Sequence, residues 1–309
     1  MVIAFGFLVA GLAGAGSYFL PVLTAAVSIT GHGGDLPSPT GGAGVGPPAA
    51  QAPFTVLLLG SDDDAKFSKD HVLTQSMILV RVTPSTHHVV MLSIPRDLWV
   101  PISSGGTAKI DAAYADGGAR TAIATVEKNF HVHVDHYVWT GLHGLIALVD
   151  AVGGVDVVAS NPVMDDFYPR DLDTSNPYAF ERVAVLPGAQ HMSGAQALQY
   201  VRSRHGDLRE DFGRSERQQQ LLLALRAKAK SMSAANLPDL AAALNGEMTT
   251  DMSISQLSAV LPLASDLSLS DVERVILLPP YTHGGQIAGQ DVVLPDWSLI
   301  LPVVARSFP

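Results

Sequence analysis

The sequence predicts an α/β domain, with a mixed central β-sheet flanked by helices on both faces, carried behind one N-terminal transmembrane helix. Three observations predict it. Strand-like and helix-like segments alternate along residues 53–309, which favours a sheet with helices packed against it. The run Phe54-Thr55-Val56-Leu57-Leu58-Leu59-Gly60 is apolar without alternation, as in a strand buried on both faces. Residues 1–34 contain no charged side chain.

The elements follow in order. The apolar body from Val2 to Ile29 is interrupted only by small or mildly polar residues and Pro21. It exceeds the ~20 residues that span a ~30 Å hydrocarbon core. A buried soluble helix is one competing reading. A cleaved signal peptide is another, but its apolar core is usually ~7–15 residues behind a basic start. No Lys or Arg precedes Lys66, so flanking charge does not orient the segment. Residues 1–30 are therefore expected to be a transmembrane anchor. In residues 31–52, 11 of 22 are Gly or Pro, a composition that cannot bury a core and reads as a flexible linker. The domain proper is expected over residues 53–309.

Within it, Met77–Val82 and Val89–Ile94 read as strands, joined by Thr83-Pro84-Ser85-Thr86, which has turn chemistry. His87 and His88 are expected in an edge strand. Helical spacing covers Ala119–Phe130 and Gly141–Val152, the second stopped by Gly153-Gly154. Val155–Val158 reads as a strand, and Ser193 as the cap of a helix through Val201. Arg214–Met232 is a long amphipathic helix whose apolar face carries Leu221, Leu222 and Leu225. Ser253 with Gln256 fits a capping box for a helix reaching Leu263. Val275–Leu278 closes with a strand.

Composition excludes several function classes. The chain has 309 residues, no cysteine and a formal net charge of −10. Disulfides, thiolate metal sites and thiol catalysis are therefore absent. A net acidic chain repels a polyanion, so no nucleic-acid partner is expected. There is no Gly-x-Ser-x-Gly elbow and no phosphate-binding Walker loop.

The informative feature is arginine placement: five of the thirteen arginines lie between Arg202 and Arg217. Arg202 and Arg204, two apart, point the same way in an extended segment. Arg214 and Gln218, four apart, share a helix face. Arg214 is also expected at its helix start, where free N–H groups favour an anion. Guanidinium forks match phosphate oxygens bidentately, so the pattern points to a phosphate or pyrophosphate clamp. The competing reading is a solvated, salt-bridged surface, because Asp207, Glu210, Asp211 and Glu216 are interleaved. Arg96 and Asp97 follow a predicted strand, where ligand sites of open α/β sheets gather. Gly60-Ser61-Asp62-Asp63-Asp64 also follows a strand, and reads either as a hard-cation site or as a solvated acidic turn. His131, His133 and His136 lack the spacing of zinc motifs.

These residues resemble a known family. Phe54 to Asp62, Leu92-Ser93-Ile94-Pro95-Arg96-Asp97, Ala112-Ala113-Tyr114 with Gly117-Gly118, and Asp150 to Val155 are similar to segments of LytR-CpsA-Psr proteins. So are Ala197-Leu198-Gln199-Tyr200-Val201-Arg202-Ser203-Arg204 and Asp211-Phe212-Gly213-Arg214-Ser215-Glu216-Arg217-Gln218. The resemblance covers roughly residues 54–229, together with the anchor and linker. It implies an α-β-α sandwich with a hydrophobic pocket for a polyprenyl chain. It also implies a bacterial cell-membrane protein, single-pass, with an extracytoplasmic catalytic domain. The implied activity is a phosphotransferase that moves a glycopolymer from a polyprenyl-pyrophosphate carrier to peptidoglycan, forming a phosphodiester. By motif, Arg96, Arg202, Arg204, Arg214 and Gln218 would bind the pyrophosphate and Asp211 would orient the arginines. Asp62 would hold Mg2+ or position the reacting hydroxyl. Asp62 or Asp97 would accept its proton.

One departure stands out. Where the family shows Arg, Ser or Thr, Asp, Thr, this chain reads Leu73-Thr74-Gln75-Ser76. The second magnesium carboxylate is thus Gln75, and a neutral amide is a poorer magnesium ligand. Two alternatives stay open. One is a polyprenyl-pyrophosphate hydrolase at the same site. The other is a non-catalytic polyprenyl-phosphate binding or regulatory protein.

Overall fold

The structure is a computed structural model that describes residues 52–61, 72–170, 172, 175–176, 178–204, 210–231, 247–252 and 271–309. The predicted anchor, nearly all of the linker, Asp62, Asp63, Asp64 and the Ser253–Leu263 helix lie outside the described residues. Among the described residues no helix is long and apolar enough to cross a membrane.

The chain begins with β1 (Phe54–Ser61), β2 (Thr74–Thr83), β3 (His88–Ile94), β4 (Trp99–Pro101) and β5 (Thr107–Lys109). Next come α1 (Ala112–Phe130), β6 (His136–Thr140), α2 (Leu142–Ala151), β7 (Val155–Ala159), β8 (Val163–Pro169), β9 (Phe180–Val185) and β10 (Gly188–Met192). Two helices follow, α3 (Gly194–Arg202) and α4 (Glu210–Ser231). The last elements are β11 (Met248–Thr250), β12 (Val272–Ile276), the hairpin β13 (Thr282–Ile287) with β14 (Gln290–Pro295), and α5 (Trp297–Ser307).

A six-stranded sheet in the order β11-β6-β1-β2-β3-β12 forms the centre. It is mixed: β1 runs parallel to β6 and antiparallel to β2, and β12 runs parallel to β3. Because successive strand side chains point to opposite faces, the apolar run of β1 supplies two cores at once. Leu57, Leu59, Leu79 and Leu92 pack with Val126 and Phe130 of α1 and Ile300 and Val304 of α5. On the other face Leu58, Ile78, Val80 and Met91 meet Leu222 and Leu223 of α4. Helices therefore cover both faces. A third cluster joins Val149 of α2, Val155 and Val157 of β7, Ala197 of α3 and Leu221 of α4.

One buried polar side chain sets the register of α4 on the sheet. Gln219 Nε2 donates to Ser93 Oγ at 2.9 Å and to Val275 O at 3.3 Å, bridging β3 and β12. Its neighbour Gln218 is thereby held toward the end of the sheet where the carboxyl termini of β1, β3, β6 and β12 meet.

Several expectations change. A further helical turn from Ala112 precedes the expected Ala119–Phe130 segment, from which it is separated by a break at Gly117 and Gly118, the latter with a left-handed φ of 66°. α4 starts at Glu210, so Arg214 lies a turn inside it and does not offer a helix terminus. Its first two residues, Glu210 and Asp211, are acidic types favoured at that end. The late strand spans Val272–Ile276, earlier than expected. β3 lies between β2 and β12, so His88 is not in an edge strand, and His87 is the left-handed residue of the turn, at φ 53°. Ser193 does form a capping box with Gln196.

Leu57 is fully buried where β1 meets both β2 and β6. Leu57→Ala is expected to destabilise the fold by about 2–5 kcal/mol. Urea unfolding monitored by circular dichroism measures this, and a loss under about 1 kcal/mol would mean that β1 is not the centre of the core.

Candidate functional site

The site is built where the sheet ends. Pro95 follows β3 and has no N–H to continue a ladder. Arg96 comes next, and its carbonyl accepts from Asp111 N at 3.1 Å, which fixes the loop. From the other side, α3 ends at Arg202 and leads through the extended Ser203 (φ −55°, ψ 136°) to Arg204. The predicted common orientation of Arg202 and Arg204 holds, although Arg202 is helical. Arg214 and Gln218 reach the same place from one face of α4, as their spacing predicted.

Arg96, Arg202, Arg204 and Arg214 line one cleft of about 800 Å³, its open mouth included, together with Gln75 and Gln218. Among the described residues the only carboxylate lining it is Asp165. Four guanidinium groups thus converge on one cleft. Gln75 Oε1 accepts from Arg204 Nη2 at 2.9 Å and also from Arg96 Nη1. Gln218 Oε1 accepts from Ser76 Oγ at 2.9 Å. The Arg202 guanidinium lies over the Tyr168 ring, 5.8 Å from its centroid.

Two side chains that the sequence reading did not single out hold this arrangement. Asp165 is buried on β8; its Oδ2 accepts from the backbone N of Arg204 at 3.0 Å. Its Oδ1 accepts from Phe167 N at 3.0 Å, inside a β-bulge between Asp165 and Tyr168. A bulge re-aims side chains. Here Phe167 is brought to the rim of the cleft, edge-on to Phe180 with centroids 6.2 Å apart. Arg217 is also buried, and its Nε donates to Tyr200 O at 2.6 Å while Nη2 donates to Ser203 O. It thus satisfies carbonyls at the end of α3 that lack helical partners. Burial pulls its pKa down to about 10, against the opposing pull of the Tyr200 phenol and Asp165, so it stays charged at neutral pH.

Asp97 faces Arg96 and Lys109, with Oδ2–Nε at 3.2 Å and Oδ1–Nζ at 2.7 Å. Burial pushes its carboxyl up. The Lys109 hydrogen bond and the charges of Arg96, Lys109 and Arg204 outweigh this and hold it below the ordinary carboxylate value. Asp62 lies outside the described residues, and nothing is described of the Asp211 side chain. The three candidate histidines do not converge. His131 is the left-handed cap of α1, His133 pairs with Glu127 at 2.8 Å, and His136 approaches Asp251 at 3.4 Å. Among the described residues no group of three His, Cys, Asp or Glu is placed to hold a metal ion.

The cleft opens into a second space of quite different character. A half-open apolar tunnel of about 870 Å³, its open mouth included, runs between the sheet and helices α2, α3 and α4, walled by Leu58, Ile78, Val138, Leu145, Leu198 and Leu222. It shares Gln75, Val201, Arg202 and Gln218 with the cationic cleft. An apolar tunnel ending on a cluster of arginines is a site for an amphiphile with a multiply charged anionic head.

An α/β sandwich that joins an apolar pocket to a cationic cleft is the class of architecture these elements build. The chain belongs to the LytR_cpsA_psr family, which it matches over residues 32–282. It is 34% identical to Biofilm regulatory protein A of Streptococcus mutans over 69% of this chain and 53% of that protein. It is 33% identical to the polyisoprenyl-teichoic acid–peptidoglycan teichoic acid transferase TagV of Bacillus subtilis, over 72% of this chain and 56% of that one. The aligned part thus spans little more than half the length of these relatives. The crystal structure of B. subtilis TagV superposes with a TM-score of 0.68 at 27% identity, covering 84% of this chain and 96% of that one.

The folded-state pKa of Asp97 lies below its unfolded value near 3.9. Its stabilising contribution is present above that pH and is lost as pH falls through the folded value. Urea stability followed from pH 7 to pH 2 is expected to fall less steeply in Asp97→Asn than in the wild type. Identical acid slopes would show that the Arg96–Asp97–Lys109 group is not engaged in solution.

Proposed function

We propose that the protein transfers a glycopolymer from a polyprenyl-pyrophosphate carrier to peptidoglycan, joining the two through a phosphodiester. The observation that carries this reading is the continuity of the apolar tunnel with the four-arginine cleft. A polyprenyl tail suits the tunnel, since each buried CH₂ contributes about 0.8 kcal/mol. A pyrophosphate suits the guanidinium groups, which neutralise spread negative charge bidentately. The relative named as a teichoic acid transferase adds weight to the substrate class. In this proposal the domain is extracytoplasmic and residues 1–30 are its single membrane anchor, which would keep the cleft near its lipid substrate.

The reaction is a displacement at phosphorus. A peptidoglycan hydroxyl attacks the phosphorus that carries the glycopolymer, and a new P–O bond forms. The bond to the bridging pyrophosphate oxygen breaks, and polyprenyl phosphate leaves. The hydroxyl proton passes to a carboxylate, for which Asp62 is proposed. Asp97 is a weaker candidate because its oxygens are engaged by Arg96 and Lys109; we assign it to positioning Arg96. Arg96, Arg202, Arg204 and Arg214 bind the pyrophosphate and stabilise charge as the bridging oxygen leaves, in a site partly closed to water. Gln218 lines the cleft beside them, and Asp211 is proposed to orient them.

The described residues do not fit a magnesium ion at Gln75. The amide oxygen there already accepts from two guanidinium groups, and a cation would face both. Magnesium enters the proposal only through Asp62. The neutral amide also favours a reading in which the protein binds the lipid without turnover.

The deciding experiment incubates the full chain, in detergent, with a polyprenyl-pyrophosphate disaccharide and peptidoglycan, and identifies products by mass spectrometry. An acceptor–phosphate–saccharide product is expected. Free saccharide phosphate alone would indicate hydrolysis, and bound but unchanged lipid would indicate a binding protein. Arg202→Ala, Arg204→Ala and Arg214→Ala are each expected to abolish turnover while remaining folded; wild-type turnover in folded variants would remove the clamp. Gln75→Glu, which pairs Arg96 and Arg204 internally, is expected to weaken lipid-pyrophosphate binding roughly tenfold without added metal. Unchanged affinity would mean that those two guanidinium groups do not hold the ligand.

A further inference from the structure

A third space opens from the same arginines. It is a groove of about 840 Å³ that shares Arg96, Arg214, Gln75 and Gln218 with the cationic cleft. Its far wall is made by the segment after β12 and by the β13–β14 hairpin, including Leu278, His283, Gly284 and Val293. The tunnel and the groove meet at Gln75, Ser76 and Gln218 and then diverge. The tunnel runs under β6 and β11, with Val138, Thr140 and Met248 in its wall, whereas the groove lies beside β12. In the strand order β11-β6-β1-β2-β3-β12 these are opposite edges of the sheet.

Displacement at phosphorus needs the attacking and leaving oxygens roughly in line, on opposite sides of the phosphorus. If polyprenyl phosphate departs along the tunnel, the attacking hydroxyl must come from the other edge. We propose that the groove between Arg96 and the β13–β14 hairpin is the subsite for the carbohydrate acceptor; this rests on the transfer reading above.

The wall has the chemistry and rigidity for that task. Asp97 and Ser215 offer hydrogen-bonding groups, while Leu278 and Val293 offer apolar surface for the C–H faces of a sugar ring. The hairpin is tied to the segment that carries Arg96: Val293 N donates to Asp97 O at 2.9 Å. At its base Thr282 Oγ1 donates to Leu277 O at 2.8 Å. An acceptor held against this wall is thus indexed to the arginines that hold the reacting phosphate. That fixed relation is what positioning requires of a two-substrate site.

Gly284 allows the groove to be narrowed at small structural cost. A Cβ added there meets no heavy atom within 4 Å, whereas one at Gly285 would lie 2.7 Å from Leu294 Cδ1. The test uses full-length wild type and Gly284→Trp, with transfer rates measured against peptidoglycan fragments at saturating lipid donor. The variant is expected to raise the acceptor KM about tenfold or more and leave the donor Kd and the melting temperature unchanged. A wild-type acceptor KM in folded Gly284→Trp overturns the assignment. Loss of donor binding instead also overturns it, by showing that the groove holds the donor sugar. A second measurement does not depend on turnover: calorimetric binding of a peptidoglycan tetrasaccharide with inorganic pyrophosphate in the cleft. Weaker binding to Gly284→Trp than to wild type supports the subsite even if the wild type transfers nothing, in which case the function proposed above fails alone. Equal binding, or no binding to either, overturns the subsite.

Discussion

The rest of the structure depends on keeping four guanidinium groups together in one cleft. Two unit charges on the order of 6 Å apart repel by ~3 kcal/mol at an effective dielectric near 20, so such a cluster costs stability. Asp97 relieves part of that cost by pairing with Arg96, and neutral and backbone groups take up a further part. Gln75 accepts from Arg96 and Arg204 without contributing a charge. Arg217, a further cation, is spent on the carbonyls of Tyr200 and Ser203 and so shapes the loop that presents Arg202 and Arg204. Asp97 is held to one side by Lys109 as well as Arg96, which limits how much of the cleft it neutralises. The energy absorbed by this arrangement becomes available when a pyrophosphate enters.

That constraint explains why the site sits where three elements converge. The four arginines come from three supports: Arg96 from a loop fixed by Asp111, Arg202 and Arg204 from the end of α3, and Arg214 from within α4. Separate anchoring makes their spacing a property of the packed core rather than of one flexible segment. Gln219 matters for the same reason, because its bonds to β3 and β12 fix the rotation of α4 and hence the direction of Gln218. Asp165 does the same for Arg204 through its backbone, and so couples the β8–β9 hairpin to the cleft.

The parts legible in the sequence were those with a local pattern. β1, β2 and β3 announced themselves as apolar runs, the α3 cap as Ser193 with Gln196, and the arginine cluster as a count. The strands that escaped have sequences that hide them. Met164-Asp165-Asp166-Phe167 in β8 carries a bulge that breaks the alternation, and His283-Gly284-Gly285 in β13 has no apolar signal at all. α5 contains Pro302, which reads as a break although the helix continues. Asp165 and Arg217 were invisible as site residues because their partners are distant or are backbone carbonyls. The Asp165–Arg204 contact joins residues 39 apart, and no periodicity reports it.

A joined tunnel and cleft would suffice for a protein that only binds a lipid pyrophosphate. Its ligand, with a tail on one side of the pyrophosphate and a saccharide on the other, would need an opening for each. This chain has a second opening at the arginines, walled by a hairpin tied to the backbone of Asp97. An opening there exposes the head group to water, which weakens every charge–charge interaction in the cleft. A binder sets against that cost only the seating of its saccharide, whereas a transferase also requires its second substrate to reach phosphorus from the side away from the leaving group. In the proposed transfer, charge selects the head group, and the two openings toward opposite edges of the sheet would serve the departing and the entering partner.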